Sequence, residues 1–523
     1  MAAAIDAEEV ILRAGGGAEG QTRQRKLGRL PVRERLELLL DAGTPFFEIG
    51  LWAAWKLYPE WGDVPAAGLI AGIGTISGQP CVVAANDATV KAGAMFPQSV
   101  KKLIRVQKLA HRLRLPVIYL VDSAGVFLPL QDEIFPDEDD FGRIFRNNSV
   151  LSAEGIPQIA AVMGNCIAGG AYLPVLCDKL LMTDGSQLCL AGAALVKAAV
   201  GQVVDPADLG GAAMHAAVSG TVDFHEKDDA SCLARLRTLV GLLPPRVAAV
   251  PEAMAPSRDP NDLYALVPAD GRGEYEIRDV LDCIVDAGSF VEFRPEYGKT
   301  LVTGYARIGG HPAGIVANAR RRATDSKGEV QIGGVLYGDA AEKAARFVDD
   351  CEQTRVPLVF LQDVQGFMVG KQAEQSGIIR SGAKLVRSMS TATVPKFTVI
   401  IGSSYGAGHY AMCGRAYDPA LILAWPNARY AVMGGSQAAD TLLSLRLRDA
   451  ERAGHKLSDA DVKELRESIR NTYQDQTDIR YAAARGWVDA IIAPDETRAW
   501  LAAALSVIRP MDLARQPYME RDV

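Results

Sequence analysis

Residues 156–179 read IPQIAAVMGNCIAGGAYLPVLCDK, and residues 394–419 read VPKFTVIIGSSYGAGHYAMCGRAYDP. Each has a proline, then an apolar run of strand length, then glycines where a helix should begin. A second pair of stretches lies upstream of these two. Residues 115–129 read LPVIYLVDSAGVFLP, and residues 356–370 read VPLVFLQDVQGFMVG. Pro116 and Pro357 are 241 residues apart, and Pro157 and Pro395, Gly164 and Gly402, and Gly170 and Gly408 are each 238 apart. Strand–glycine–helix patterns are common in α/β proteins, but a shared composition does not produce a nearly constant offset. The chain is an internal duplication, which sets the domain count at two.

The repeat extends upstream. Asp41-Ala42-Gly43 corresponds to Asp286-Ala287-Gly288, each after an amphipathic helical stretch and before a hairpin-like run. The stretch FPQSVKKLIRVQKLAHRLRL is an amphipathic helix closed before Pro116. The reading divides the chain into a loose N-terminus at 1–20, a first domain at 21–245, a Pro- and Ala-rich linker at 246–271 and a second domain at 272–523. The second half adds a charged helical segment, LSLRLRDAERAGHKLSDADVKELRESIRNTY, with no continuous apolar stripe, expected to lie on the surface or to reach toward a partner.

Composition narrows the class. The 523 residues are 49% hydrophobic and 23% charged, enough apolar surface for packed cores. A net charge of −7 argues against non-specific nucleic-acid binding. The eight cysteines form no CxxC and read as reduced core residues of a cytoplasmic protein. No signal peptide or membrane span is visible, no GxSxG, HExxH or Walker A motif occurs, and the six histidines lack metal spacing.

The glycine loops carry the chemistry. A helix start presents backbone N–H groups without intrahelical partners, and small residues let a ligand oxygen reach them. That is the arrangement an enolate oxygen requires; tight helix–strand packing is the plain alternative. His409 either polarises a ligand or bonds locally at a helix start. Tyr172 and Tyr405 flank the glycines and either orient a ligand or pack. Lys91, Lys101, Lys102, Arg105 and Lys108 form either a phosphate-binding patch or an ordinary helix face.

With these stretches, and with NDATVKAGAMFPQSVKK, IFPDEDDFGRIFRN, LAGAALVKAAVG, LQDVQGFMVGKQAEQSGIIRSGAKLV and WPNARYAVMGG, the sequence resembles the carboxyltransferase (β) subunits of biotin-dependent acyl-CoA carboxylases over roughly residues 22–500. It is most similar to the methylcrotonyl-CoA and geranyl-CoA carboxylase branch. The resemblance implies tandem crotonase-like (ClpP/crotonase) α/β domains, each a ββα spiral. The N-terminal domain would bind acyl-CoA and the C-terminal domain carboxybiotin, in a hexameric core where unlike domains of two subunits face each other. It maps one oxyanion hole onto Gly169 and Gly170, for the thioester enolate. It maps a second onto Ala407 and Gly408, for the biotin ureido oxygen. Lys91, Tyr172, Phe367, Tyr405 and His409 are the implied cofactor contacts, and no metal is expected. Biotin would arrive on a separate carrier, because the chain has no AMKM-like tetrapeptide and no evident ATP-grasp pattern; a biotin carboxylase partner is implied.

The sequence departs from the branch at informative places. DSGGAYLP becomes DSAGVFLP, with Ala124 and Phe127; FLAGPPLVKAATG becomes CLAGAALVKAAVG, with Cys189, Ala193 and Ala194. If these line the acyl pocket, it is larger or differently shaped. Asp363 stands where the branch often has Asn, and either selects a substrate group or caps a turn. Two other readings share this fold: the carboxyltransferase subunit of a decarboxylase such as glutaconyl-CoA decarboxylase, and a non-catalytic scaffold. The small residues of both loops argue against the scaffold.

Overall fold

The computed structural model describes residues 1–244, 252–271, 273–325, 328–433, 435–452 and 458–508. The chain divides into two compact units, Ala3–Val247 with Ala484–Ala490, and Ala248–Ala483 with the residues from Ile491.

The first unit is built on eight strands: β1 (Phe47–Ile49), β2 (Leu69–Ile76), β3 (Gln79–Asn86), β4 (Val117–Ser123), β5 (Gln158–Ile167), β6 (Lys179–Thr183), β7 (Gln187–Cys189) and β8 (Phe224–Glu226). They lie in the order β1-β2-β3-β4-β5-β6-β8, with β7 pairing the far end of β5. The first three strands are antiparallel and β3 onward is parallel. The helices include α1 (Ala2–Arg13), α2 (Gly17–Lys26), α3 (Val32–Leu39), α4 (Pro97–Leu113), α5 (Phe141–Ala153), α6 (Tyr172–Val175), α7 (Ala193–Val200) and α8 (Asp229–Gly241). β4 and β5 are almost wholly buried, because parallel strands are covered on both faces. Leu36 of α3 and Leu236 of α8 pack there against Ile70, Val83, Ile118 and Met163.

The second unit repeats the plan with β9 (Val291–Glu292), β10 (Leu301–Ile308), β11 (His311–Asn318), β12 (Val335–Leu336), β13 (Leu358–Val364), β14 (Gly366–Phe367), β15 (Lys396–Tyr405), β16 (Leu421–Ala424) and β17 (Arg429–Ala431). Its helices include α9 (Ile277–Ile284), α10 (Gly338–Thr354), α11 (Ile378–Thr391), α12 (Gly406–Ala411), α13 (Gly435–Arg452) and α14 (Asp459–Thr477). The duplication holds in detail. Both hairpins have eight-residue arms, both long helices have 17 residues, and the paired core strands have seven and ten. The hairpin turns are held alike. Asp41 accepts the N–H groups of Ser77 and Gly78 at 2.9 and 2.7 Å, and Asp286 accepts those of Gly309 and Gly310 at the same distances.

Two boundary expectations change. Residues 1–20 are not loose but form α1 and the start of α2, burying Ile5 and Leu12. Glu9 and Glu8 accept the indole N–H groups of Trp52 and Trp55 at 2.9 and 3.1 Å. Gly16 serves close approach: a Cβ on it would lie 2.0 Å from the Thr89 carbonyl oxygen. The expected linker falls partly outside the described residues. Its later part buries Leu263 and Val267, and Tyr264 donates to Asp495 at 2.7 Å. The charged segment is helical in α13 and α14 and largely exposed, with 453–457 outside the described residues.

Candidate active site

In the first unit the loop after β5 turns through Ala168, whose φ of 64° lies in the left-handed region. That conformation costs a non-glycine residue about 1–2 kcal/mol. A 3-10 turn over Ala168–Ala171 follows and leads directly into α6. Gly169 is exposed and Gly170 half-buried. Packing does not require either glycine: a Cβ on Gly169 or Gly170 would meet only the Phe141 ring, at 3.7 or 3.9 Å. The loop is therefore open rather than wedged.

Several expected residues gather around it. Met95 donates its N–H to the Gly125 carbonyl (2.8 Å), Phe127 to the Met95 carbonyl (2.9 Å) and Ala124 to the Ala92 carbonyl (3.1 Å). These bonds place the turn carrying exposed Lys91 against the Ala124–Phe127 segment. Phe127 stacks on Phe96 at 4.2 Å and meets Trp61 edge-on at 5.2 Å. Cys189 pairs with Ile167 at the end of β7, immediately before the loop. Ala193 and Ala194 open α7, which buries none of its residues. Tyr172 is exposed beside the glycines, edge-on to Phe145. A small apolar cavity adjoins the loop; Met95, Tyr119, Gly125, Phe141 and Gly170 are among its lining residues.

The second loop is built differently. Tyr405 is the half-buried residue before α12, and Ala407 is exposed. Gly406 has φ 55°, and a Cβ on Gly408 would lie 2.5 Å from Val364 Cγ2. Here packing alone demands both glycines. Phe367 lies in β14, its ring against Gly382 of α11 and partly buried on the core.

His409 is a correction. It is 5% exposed, and its Nδ1 lies 2.8 Å from the Ser404 hydroxyl. Its Nε2 faces the Tyr430 hydroxyl and the Arg415 N–H. Burial pulls its pKa down to about 4. With both ring nitrogens engaged, the imidazole ties down the loop instead of reaching a ligand. The basic patch also shrinks. Lys102 is buried and donates to the carbonyls of Gly50, Ala66 and Leu69, with its pKa lowered to about 7 by burial. Arg105 pairs with buried Asp489 at 2.9 and 2.6 Å. Lys101 and Lys108 remain on the outer face of α4, with Lys108 3.6 Å from Asp139.

Sequence reasoning missed Asp122, Asn86 and Arg35 in the first unit and did not place Asp363. Both aspartates are 2% exposed and sit beneath the two loops. Burial pushes both carboxyls up, opposed by Arg35 and Arg29 at Asp122 and by Arg320 at Asp363. A signal was present: Asp122 and Asp363 lie 241 residues apart, the offset of Pro116 and Pro357.

In each half one strand ends in a small-residue loop at a helix start. Residues 23–521 match the family model described as carboxyl transferase domain. The chain belongs to the carboxyl transferase family. It is 45% identical over 497 residues to the biotin-dependent 3-methylcrotonyl-coenzyme A carboxylase beta1 subunit of Mycobacterium tuberculosis, covering 94% of this chain and 91% of that protein. It is 43% identical over 514 residues to the mitochondrial methylcrotonoyl-CoA carboxylase beta chain of Arabidopsis thaliana, covering 96% and 85%. The crystal structure of the P. aeruginosa geranyl-CoA carboxylase beta subunit superposes with a TM-score of 0.87 at 34% identity, covering 100% of this chain and 94% of that one. This carboxyl transferase thus carries the duplicated fold over its full described length. Among its described residues no helix is long and apolar enough to cross a membrane.

Proposed function

We propose that this carboxyl transferase moves a carboxyl group from carboxybiotin, borne on a separate carrier protein, to 3-methylcrotonyl-CoA or a related branched enoyl-CoA. The observation that carries the reading is the open first loop, whose glycines no neighbouring side chain requires. The thioester carbonyl rests on the N–H groups of Gly169 and Gly170. Removal of a γ-proton then places dienolate charge on that oxygen, where preorganised donors are most effective. Ala407 and Gly408 would hold the ureido oxygen of carboxybiotin, which would supply the CO2 that the dienolate γ-carbon captures and the base that takes the γ-proton. That division of labour accounts for a site without a catalytic His or Asp, and the buried, fully bonded His409 fits it. Lys91 is an exposed cation on the turn that bonds the Ala124 segment and suits a coenzyme A phosphate. Cys189, Ala124, Phe127, Ala193 and Ala194 border the acyl side; a cysteine where the branch has phenylalanine leaves room for a longer chain. Each extra buried methylene contributes about 0.8 kcal/mol, so size selection is coarse. A biotin carboxylase partner, a homo-oligomeric core and a cytoplasmic location complete the reading.

The test is carboxylation with a holo biotin carboxylase partner, ATP, labelled bicarbonate and a panel of 3-methylcrotonyl-, geranyl-, propionyl-, acetyl- and glutaconyl-CoA. Acid-stable label in a branched enoyl product is expected. No label from any thioester, with the carrier demonstrably carboxylated, rejects the proposal and directs attention to decarboxylation.

A further inference from the structure

Each loop-bearing strand arches at the same place. Between Val121 and Ser123 of β4, the partner strand β5 advances from Val162 to Cys166. Between Gln362 and Val364 of β13, β15 advances from Ile400 to Ser404. A step of two residues on one strand thus spans a step of four on the other in both halves, so that one aspartate faces three residues. Such bulges re-aim the chain that follows them, and here that chain is the polarising loop.

One residue fills each arch. Asp122 accepts the Asn165 N–H at 3.1 Å, and a Cβ on Gly164 would lie 2.0 Å from its Oδ1. Asp363 accepts the Ser403 N–H at 2.8 Å, and a Cβ on Gly402 would lie 2.5 Å from its carboxylate. Each aspartate donates its own N–H to a buried asparagine Oδ1, Asn86 at 3.4 Å and Asn318 at 3.1 Å. The counter-ions do not correspond. Asp122 pairs with Arg35 of α3 at 3.3 Å and with Arg29 at 3.5 Å. Asp363 pairs with Arg320, after β11, at 3.1 Å and accepts the Tyr275 hydroxyl at 3.0 Å. The carboxylate in the arch persists in both halves while its charge partner differs, which singles out the carboxylate–strand contact as the shared requirement.

We propose that Asp122 and Asp363 are positioning residues, each setting the height of one polarising loop by filling the arch beneath it, and each acting on one half-reaction only. This rests on the carboxyl-transfer reading above. Asp122 governs the thioester loop and Asp363 the ureido loop. A purely structural role would lower both half-reactions together.

Two assays separate them. Release of labelled CO2 from N-carboxybiotin without acyl-CoA needs only the ureido loop. Formation of acid-stable label with 3-methylcrotonyl-CoA needs both loops. Asp363→Asn should slow both by about ten-fold or more, the scale of a displaced oxyanion donor. Asp122→Asn should slow acid-stable labelling about ten-fold or more while CO2 release stays within about two-fold. If Asp363→Asn does not fold, Tyr275→Phe removes one donor from that carboxylate and should slow both reactions about two-fold or more. Arg29→Gln serves in the same way for Asp122, slowing labelling alone. The proposal is overturned if Asp122→Asn lowers the two rates in one common ratio, if Asp363→Asn raises the KM for 3-methylcrotonyl-CoA as a disturbed thioester loop would, or if neither rate changes once normalised to folded protein by circular dichroism. Wild-type protein that releases CO2 but forms no acid-stable label with the panel defeats the functional reading instead, so the two failures are distinct.

Discussion

The two glycine loops occupy equivalent places in equivalent units, yet their glycines exist for different reasons. At Gly406 and Gly408 the surrounding chain has no room for a side chain. At Gly169 and Gly170 it does. A glycine that packing does not demand points to something outside the chain, whereas a glycine that packing demands says nothing about a ligand. The first loop is therefore the stronger evidence for a binding function, and the second borrows its interpretation from the duplication.

The sharpest way to break this contrast is Gly170→Ala. Its Cβ meets only Phe141, at 3.9 Å. Unfolding free energy should change by less than about 0.5 kcal/mol while kcat falls about 10²-fold, because the added methyl keeps the thioester oxygen off the loop N–H groups, an effect on the scale of a lost oxyanion donor. Denaturant unfolding beside steady-state kinetics checks it; comparable loss of stability would place this glycine with those of the second loop. Gly408→Ala is the converse. Val364 is fully buried and cannot yield freely, so destabilisation of about 1–3 kcal/mol is expected from overpacking. A stable, folded Gly408→Ala variant in the same unfolding assay would remove the difference between the loops.

His409 sharpens the second loop further. Burial depresses its pKa to about 4, so the folded state binds fewer protons than the unfolded state between there and the ordinary value near 6.5. Its contribution is complete above about pH 6.5 and is lost as pH falls toward 4, with a slope of at most about 1.4 kcal/mol per pH unit. His409→Asn should flatten that slope in pH-dependent melting; an unchanged slope would mean the ring is solvated. The smallest effect belongs to the first unit. Lys91→Ala should raise KM for acyl-CoA about three- to ten-fold with kcat unchanged, the signature of uniform binding. A fall in kcat with constant KM would move Lys91 from phosphate binding to the chemistry.

What was legible followed from short-range pattern and repetition. Pro97 at a helix start and the apolar spacing after it give the 17-residue α4, and the repeated offset gives the second copy. What was not legible depended on partners far away in sequence. Lys101, Lys102, Arg105 and Lys108 look alike on paper. Lys102 meets carbonyls of Gly50, Ala66 and Leu69, and Arg105 meets Asp489, 384 residues on. The glycines near the N-terminus look like a loose tail, but Gly16 lets the backbone approach Thr89 and donates its N–H to that hydroxyl at 2.9 Å. Asp363 looked like a departure at the site, and it is the counterpart of Asp122.

By itself, then, the sequence determined the duplication, the strand–glycine–helix units, the positions of the two small-residue loops and the family, because each is written in residues a few positions apart or at one fixed offset. Tertiary structure alone decided which glycines are forced, which cations are already spent on carbonyls and carboxylates, and which carboxylate holds each arch. Those questions turn on the space and the charge that distant strands bring to within 3 Å or so of a residue, and no local pattern encodes that distance.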